Sequence, residues 1–186
     1  MAAPNTARVG VGGAKVTGAI FTAPMTATVP TDATTALGSE FVCIGYTSSD
    51  GISISESGSS NDVRAWEGQS IVYTTSSEYT EQVQITPIQI DADAYKLIWG
   101  DAAVDVDTKT GAIHIMHSGA TPEAKKCVIE MVPRAGIVHR LTMILQPASR
   151  DSVTYNGRDV SGRPTTFTCL TDADGYTMHE YFAFTA

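Results

Sequence analysis

The chain has 186 residues, enough for one domain of ordinary size or for one domain with an extended arm. Its 42% of hydrophobic residues can form a core, which excludes a disordered tail. Lys+Arg 12 against Asp+Glu 20 gives a net charge of −8. This balance argues against a protein that grips nucleic acid, because such binding depends on Lys and Arg contacts to phosphates. No run approaches the ~18 apolar residues of a membrane span, so no membrane partner is expected.

The start of the chain, residues 1–8, has no compact apolar segment and does not read as a secretory signal. The three cysteines, Cys43, Cys127 and Cys169, are far apart and lack the Cys-x-x-Cys spacing of a zinc site. We expect them to be buried, reduced thiols. The compartment in which the chain folds is then expected to be the cytoplasm.

The first 36 residues differ in composition from the rest, being rich in Gly, Ala, Thr and Pro. Such a stretch predicts few hydrogen-bonded elements of its own and a mobile segment in the free subunit. The apolar side chains Ile20, Phe21 and Met25 favour the alternative, an arm that becomes ordered on a neighbouring subunit. We therefore predict an N-terminal arm over residues 1–36 and a single domain over residues 37–186.

From Glu40 onward the pattern is typical of short strands separated by turns. In residues 79–90 the side chains alternate, which places Val83 and Ile85 on a core face and the glutamines between them on a polar face. A polar stretch over residues 57–62 is expected to bridge two strands. Turns are predicted at residues 49–51, 135–136, 156–157 and 174–175. Strands are predicted over residues 41–46, 52–56, 71–75, 79–90, 112–117, 126–133, 137–147, 152–156, 165–171 and 176–184.

Residues 91–100 form the best helix candidate. Asp91 can cap the first free N–H groups, and Gly100 suits the left-handed position after the last turn. Tyr95, Ile98 and Trp99 fall on one side of such a helix, which is too short to persist without packing on a sheet. The predicted fold is therefore mainly β, an antiparallel β-sandwich or barrel with one short flanking α-helix and an extended N-terminal arm.

The sequence contains no convincing catalytic or metal-binding pattern. His114 and His117 form the only close histidine pair, and residues three apart on a strand face opposite sides. The aspartates of residues 91–107 do not have the spacing of a Ca²⁺ loop and are interpreted as capping and solvent-facing groups. The glycine-rich residues 10–15 lack a preceding strand and the Gly-Lys-Ser/Thr ending of a phosphate loop. We predict no catalytic residue, no cofactor and no metal, and hence not an enzyme.

Several segments together resemble the major tail proteins, or tail tube proteins, of long-tailed bacteriophages with non-contractile tails. The first are residues 41–56 (FVCIGYTSSDGISISE) and 62–69 (DVRAWEGQ), followed by LIWG at 97–100. Near the C-terminus the order continues with SVTYNG at 152–157, a Thr-rich strand and DADGY at 172–176. The resemblance runs in order over most of the chain, with Glu67 and the pair Arg163 and Pro164 departing from the family pattern.

The resemblance implies a structural virion protein of the phage tail. Such subunits assemble as homo-hexameric rings, stacked into a tube, in which strands of neighbouring subunits form a continuous inner barrel. The tube encloses the tape-measure protein during assembly, meets tail terminator and tail tip proteins at its ends, and conducts viral DNA to the host without specific binding. Assembly in the host cytoplasm is implied as well.

Residues in two parts of the chain, 21–25 and 63–69, are candidates for contacts between subunits. Trp66 is interpreted either as a core residue or as an aromatic anchor in a loop, and interfaces favour Trp at their buried centres. The full set of candidate inter-subunit contacts is Val63, Arg64, Trp66, Glu67, Gln69, Phe21 and Met25.

The polar face of the long segment at residues 79–90 is a candidate for the lumen of a tube. Its members are Gln82, Gln84 and Thr86, with Glu81 as a further candidate, and the alternative is that they face outer solvent. Two other functions stay open, a tail terminator or completion ring that does not polymerise and a surface-binding β-sandwich module. The latter would need exposed aromatic residues on a platform.

Overall fold

The computed structural model describes residues 4–184, so the first three residues of the predicted arm and the last two of the predicted domain lie outside it. The fold is mainly β, with 47% strand and 7% helical residues, and the predicted class, an antiparallel β-sandwich with one helix, is confirmed. Short 3-10 turns cover Thr6–Arg8 and Asp101–Ala103. The helix is α1 (Ala92–Trp99), and the strands are β1 (Ile20–Ala23), β2 (Val42–Cys43), β3 (Thr47–Arg64), β4 (Ile71–Pro87), β5 (Val104–Val106), β6 (Ile113–Ile115), β7 (Lys125–Arg134), β8 (Ile137–Arg150), β9 (Thr165–Leu170) and β10 (Met178–Phe184).

The main sheet is antiparallel, with the strand order β2-β1-β7-β8-β9-β4-β3. The long strand β8 organises it: β7 pairs along one edge, while β9 and β10 follow one another along the other edge. The turn after β9, in which Gly175 has φ 91°, therefore joins two strands on the same edge of β8 and does not close a hairpin. Strands β5 and β6 form a separate two-stranded sheet.

The main hydrophobic core lies between one face of the large sheet and α1. Apolar side chains of β4, β7, β8 and β9 point to this face, because successive residues of a strand alternate between faces. Ala94, Leu97 and Ile98 of α1 pack against them and are almost completely buried. The predicted helix is confirmed at both ends: the Asp91 side chain accepts a hydrogen bond from the Asp93 N–H, and Gly100 ends the helix with φ 89°.

The opposite face of the sheet is covered by the N-terminal part of the chain. Among the described residues up to 36 the elements are few, as expected: one 3-10 turn and the strand β1. The sequence did not predict that β1 would lie within the main sheet, between β2 and β7, because a four-residue strand with flanking glycine and proline gives little periodic signal. Behind β1, Ala27 and Phe41 pack with Val128 in a smaller apolar cluster. The division of the chain at residue 36 stays a prediction.

A buried ion pair fastens this N-terminal part to the sheet. Glu130 and Arg140 are 4% and 2% exposed, and their carboxylate and guanidinium are in contact. Lys15 contacts the same carboxylate, and Arg140 also donates to the Asp32 carbonyl over 2.8 Å. Burial would raise the pKa of Glu130, but the hydrogen bonds from Lys15 and Arg140 outweigh it, so the net pKa is lowered. Segments on both sides of β1 are thus held by one network.

Four local predictions in the strand regions are wrong. The chain does not turn at residues 49–51, because Gly51, with φ 75°, lies in an irregularity within the continuous strand β3. Strand β3 also runs through the polar residues 57–62, which were expected to be a bridge. Residues 152–156 form a loop, and the Asn156 side chain accepts from the Arg158 and Asp159 N–H groups within it, so no hairpin turns at 156–157.

All three cysteines are free, and Cys127 and Cys169 are buried as expected, whereas Cys43 is half-buried. Within residues 4–184, α1 and the short 3-10 turns include no helix of the length and hydropathy needed to cross a membrane.

Candidate assembly surface

A long hairpin formed by β3 and β4 extends beyond the rest of the sheet. Strand β4 pairs with β9 only over residues 82–85, whereas it pairs with β3 out to Arg64 and Ile71. We call residues 57–80 the projecting hairpin. Its outgoing limb of about eight residues spans about 26 Å, at about 3.3 Å for each residue of a strand.

The projecting hairpin is exposed on both faces. Apart from the half-buried Ala65 and Thr80, every side chain described in it is exposed, and Trp66 at the tip is 90% exposed. The interpretation of Trp66 as a core residue is therefore wrong. Further apolar and aromatic side chains on the same hairpin are more than half exposed: Val63, Ile71, Val72, Tyr73 and Tyr79.

The tip has a defined conformation despite its exposure. The Ala65 N–H donates to the Ser70 carbonyl over 2.8 Å, and an Arg64 guanidinium N–H donates to the Gln69 carbonyl over 3.0 Å. Gly68 and Gln69 both have positive φ, 71° and 58°, and Gln69 is the one non-glycine residue with positive φ among those described. Such a conformation is uncommon outside glycine and persists where the surroundings fix it. The tip therefore presents Trp66 in a fixed setting.

An isolated two-stranded hairpin is marginally stable in water, and an exposed strand edge invites pairing. Strand β3 is the last strand of the sheet, so within the described residues its outer edge has no strand partner. No Lys and no Pro interrupts this edge over Thr47–Arg64. The hairpin thus combines an open edge with exposed apolar side chains, which is the pattern of a surface that another molecule covers.

The predicted contact residues fall into two separate places. The tip brings together Val63, Arg64, Trp66, Glu67 and Gln69, as their proximity in the sequence suggested. Phe21 and Met25 belong to the other end of the sheet, where β1 lies four strand positions from β4. At a strand spacing of about 4.8 Å, this separation is about 19 Å.

Phe21 and Met25 differ in exposure. Phe21 is half-buried and packs on the smaller apolar cluster, whereas Met25 is 45% exposed. Only Met25 therefore offers much surface to another molecule. Whether either residue contacts a second subunit stays a prediction.

The lumen candidates on β4 divide between the two faces of the sheet. Gln82 and Gln84 share one face with Thr168 and Thr166 of β9, since paired residues of neighbouring strands point the same way. Thr86 continues this row, because it lies two residues beyond Gln84. The result is a polar patch of amide and hydroxyl groups on the sheet, and the Gln84 amide donates to the Asp151 carboxylate beside it over 3.2 Å.

Glu81 does not belong to that patch. It is 5% exposed and lies on the core side with Val83, where the Thr177 hydroxyl donates to its carboxylate over 2.5 Å. Burial and, to a smaller extent, the Glu81 charge raise the pKa of the Cys169 thiol to about 12. The alternation of side chains along β4 therefore leaves three of the four candidates, Gln82, Gln84 and Thr86, on a shared polar face.

The histidine and acidic side chains of the part of the chain that the structure describes form no metal-binding cluster. No group of three or more His, Cys, Asp or Glu side chains within residues 4–184 is placed to hold a metal ion. His114 and His117 do not converge: His114 lies on β6, and the His117 ring stacks on Trp99 with 3.9 Å between centroids. The ordered polar contacts, such as His179 with Asp172, hold loops in place.

Sequence reasoning missed most of the exposed surface of the hairpin. Ile71, Val72 and Tyr73 are consecutive apolar residues, which normally indicate a strand buried on both faces. The polar partner strand, residues 57–62, is the signal that could have identified both faces as exposed.

A family model described as phage tail tube protein matches residues 2–183. No match was found among curated proteins. The match includes the hairpin, the helix and every strand of the main sheet apart from the last residue of β10. Membership implies a structural component of the virion tail that assembles with itself into a tube. The chain belongs to the phage tail tube protein family.

Proposed function

We propose that this subunit forms homo-hexameric rings that stack into the tail tube of a long-tailed phage with a non-contractile tail. The observation that carries the proposal is the projecting hairpin, which leaves its subunit with both faces exposed and Trp66 at its tip. In an assembled tube a neighbouring copy covers this hairpin. Burying one large apolar side chain such as that of Trp66 stabilises the assembly by on the order of 3 kcal/mol, and each subunit of the tube buries one such side chain.

The open edges of the sheet support assembly into a continuous structure. Within residues 4–184, strand β3 ends the sheet on one side and the two-residue strand β2 ends it on the other, while β10 has β8 on one side only. Head-to-tail contacts between identical subunits close into rings or continue as filaments, and a tube of stacked rings requires both kinds. Pairing of such edges between copies would remove them from solvent.

The polar patch at Gln82, Gln84 and Thr86 is proposed as the lining of the lumen. It consists of amide and hydroxyl groups, which offer a phosphate backbone no fixed cation. Six subunits with a charge of −8 each would carry about −48 formal charges per ring. DNA would therefore pass without specific binding, after the tape-measure protein that occupied the tube during assembly.

The remaining partners follow from the same proposal. Tail terminator and tail tip proteins would bind the two ends of the tube, and assembly would take place in the host cytoplasm. The predicted arm over residues 1–36 would add contacts between copies through Met25, which is exposed, more than through Phe21.

Negative-stain electron microscopy of the concentrated, purified protein tests this proposal. We expect tubes of indefinite length from the unchanged chain and a strong loss of tube growth from Trp66→Ala. Tyr155→Ala is the matched control, because Tyr155 is another exposed aromatic residue, at 71%, in a loop outside the hairpin.

Each alternative gives a different image. Single rings that never stack would indicate a terminator or completion protein. Monomers at every concentration and salt condition would contradict assembly altogether. Tubes of normal length from Trp66→Ala would show that the tip is not an anchor.

A further inference from the structure

We propose that Trp66 of one subunit binds in an apolar groove on the body of a second copy, between its N-terminal segment and the loop that follows β9. This inference rests on the proposed function and identifies the receptor for the exposed tip. In its own subunit Trp66 is 90% exposed, so it does not occupy that groove in cis.

The groove has the size and lining that an indole ring requires. Its volume is about 300 Å³, and the apolar side chains of Met25, Val29, Ile144 and Leu170 contribute to its lining. Methionine side chains adapt their shape and make favourable sulfur contacts with aromatic rings. Met25 is 45% exposed at this position, so part of the apolar lining faces solvent until something covers it.

One wall of the groove is held in place before any partner arrives. The Asp172 carboxylate accepts hydrogen bonds from the N–H groups of Asp174 and Tyr176, both over 2.9 Å. It also contacts His179 Nε2 at 2.6 Å, and the hydrogen bond with His179 is the main reason why the pKa of Asp172 is lowered. A preformed wall reduces the entropy lost on binding, which favours docking of the tip.

The charges beside the tip and beside the groove are complementary. Trp66 lies between Arg64 and Glu67 on the exposed tip. The groove is lined by the exposed Asp174 and by the half-buried Lys126, whose ammonium also donates to the Ala27 carbonyl over 2.7 Å. In the docked arrangement Arg64 pairs with Asp174, and Glu67 pairs with Lys126, so that each charge meets one of opposite sign. Such complementarity mainly selects the partner and its orientation.

The two other large grooves suit Trp66 less well. One is lined by Arg8, His139, Phe182 and Phe184 and has no carboxylate, so Arg64 would meet another cation there. The other is lined largely by hydroxyl and amide side chains, including those of residues 152, 154 and 156. An indole ring gains little from such a polar surface.

Site-specific cross-linking between subunits tests the proposal without altering Trp66. All subunits carry Cys43→Ser, which removes the half-buried thiol. Subunits with Glu67→Cys are mixed with subunits carrying Asp174→Cys, each as a minority among unsubstituted copies so that tubes still form. Asp159→Cys is the matched control, because Asp159 is an exposed aspartate on the rim of the polar groove. A short bismaleimide is then added and the linked peptides are identified by mass spectrometry.

We expect about tenfold more product between positions 67 and 174 than between 67 and 159, because docking holds the first pair at a high effective concentration. Tubes in which position 67 links to 159, or to neither position, would overturn the groove assignment but not the proposal that the chain forms tubes. An absence of tubes would contradict the proposed function and this inference with it.

A charge exchange gives a second, independent test. Arg64→Asp and Asp174→Arg are each expected to raise the protein concentration needed for tube growth by about fivefold. The chain with both changes should recover most of that loss, whereas Arg64→Asp combined with Asp159→Arg should not. Equal behaviour of the two double variants would overturn the pairing.

Discussion

Replacing Glu130 by glutamine tests how firmly the N-terminal part of the chain is fastened to the sheet. Glu130 and Arg140, 4% and 2% exposed, form a buried ion pair. Without the carboxylate, the guanidinium keeps the Asp32 carbonyl and the more distant Asp32 carboxylate at 4.0 Å. Removing one partner of a buried ion pair lowers the free energy of unfolding by about 3–5 kcal/mol. Because Asp32 partly compensates, we expect Glu130→Gln to lower it by about 3 kcal/mol.

Lys15→Met is the control within the same network. The Lys15 side chain is 46% exposed, and removing it leaves Glu130 paired with Arg140. Exposed ion pairs contribute about 0–1 kcal/mol, so the expected loss is below about 1 kcal/mol. The two variants therefore separate the buried contact from the exposed one.

Urea and thermal unfolding of the dilute, unassembled subunit measure both changes. In a domain of this size 1 kcal/mol corresponds to a shift of about 2–4 °C, so Glu130→Gln should lower Tm by about 6–12 °C. Dilution matters because assembly would stabilise the folded subunit by mass action. Equal losses of stability from Glu130→Gln and Lys15→Met would refute the reasoning.

The pH dependence of the difference has a defined sign. The pKa of Glu130 in the folded chain is lowered below the reference value of 4.5. The stabilisation is therefore fully present above about pH 4.5 and is lost as the pH falls through the folded-state pKa. The gap in unfolding free energy between the unchanged chain and Glu130→Gln should accordingly be constant near neutral pH and shrink in acid.

Three further results are expected. Asp91→Ala should lower the free energy of unfolding, measured in urea, by about 1 kcal/mol, because the helix cap is lost. Asp91→Asn should keep most of the stability, because asparagine can also cap a helix. In the native subunit a thiol reagent should label Cys43 well before Cys127 and Cys169, because burial raises the pKa of both buried thiols; equal labelling rates would contradict this order. Amide hydrogens of residues 57–80 should exchange rapidly in the dilute subunit and slowly in tubes, as measured by mass spectrometry. Unchanged exchange on assembly would show that the hairpin is not covered.

Local signals predicted the elements whose ends are fixed by local chemistry. The helix is the clearest example, because Asp91 and Gly100 supply the capping group and the left-handed residue at its two ends. The hairpin between β7 and β8 was predicted for the same reason, since Gly136 adopts φ 83° in a two-residue turn. Such features require no knowledge of distant residues.

Elements stabilised by distant partners could not be read from the sequence in the same way. Residues 57–62 are polar and lack an apolar face, yet they form a strand because β4 supplies the cross-strand hydrogen bonds. Asn156 and Gly157 predicted a hairpin, but the Asn156 side chain satisfies the neighbouring N–H groups inside a loop. The short strand β1 depends on β2 and β7, which lie far along the chain.

The candidate site was predictable in part. The sequence identified the residues around Trp66, because an aromatic side chain among polar neighbours suggested exposure. It could not show that Glu81 points into the core beside Thr177, since that contact joins residues 96 positions apart. It also gave no sign of the groove, whose walls come from the N-terminal segment, β8 and the loop after β9.

A subunit-resolution reconstruction of tubes grown from the purified protein tests the central claim most directly. We predict that residues 57–80 of each subunit lie against another copy, with Trp66 removed from solvent at that contact. Tubes whose hairpins extend freely into solvent, touching no second subunit, would contradict the account.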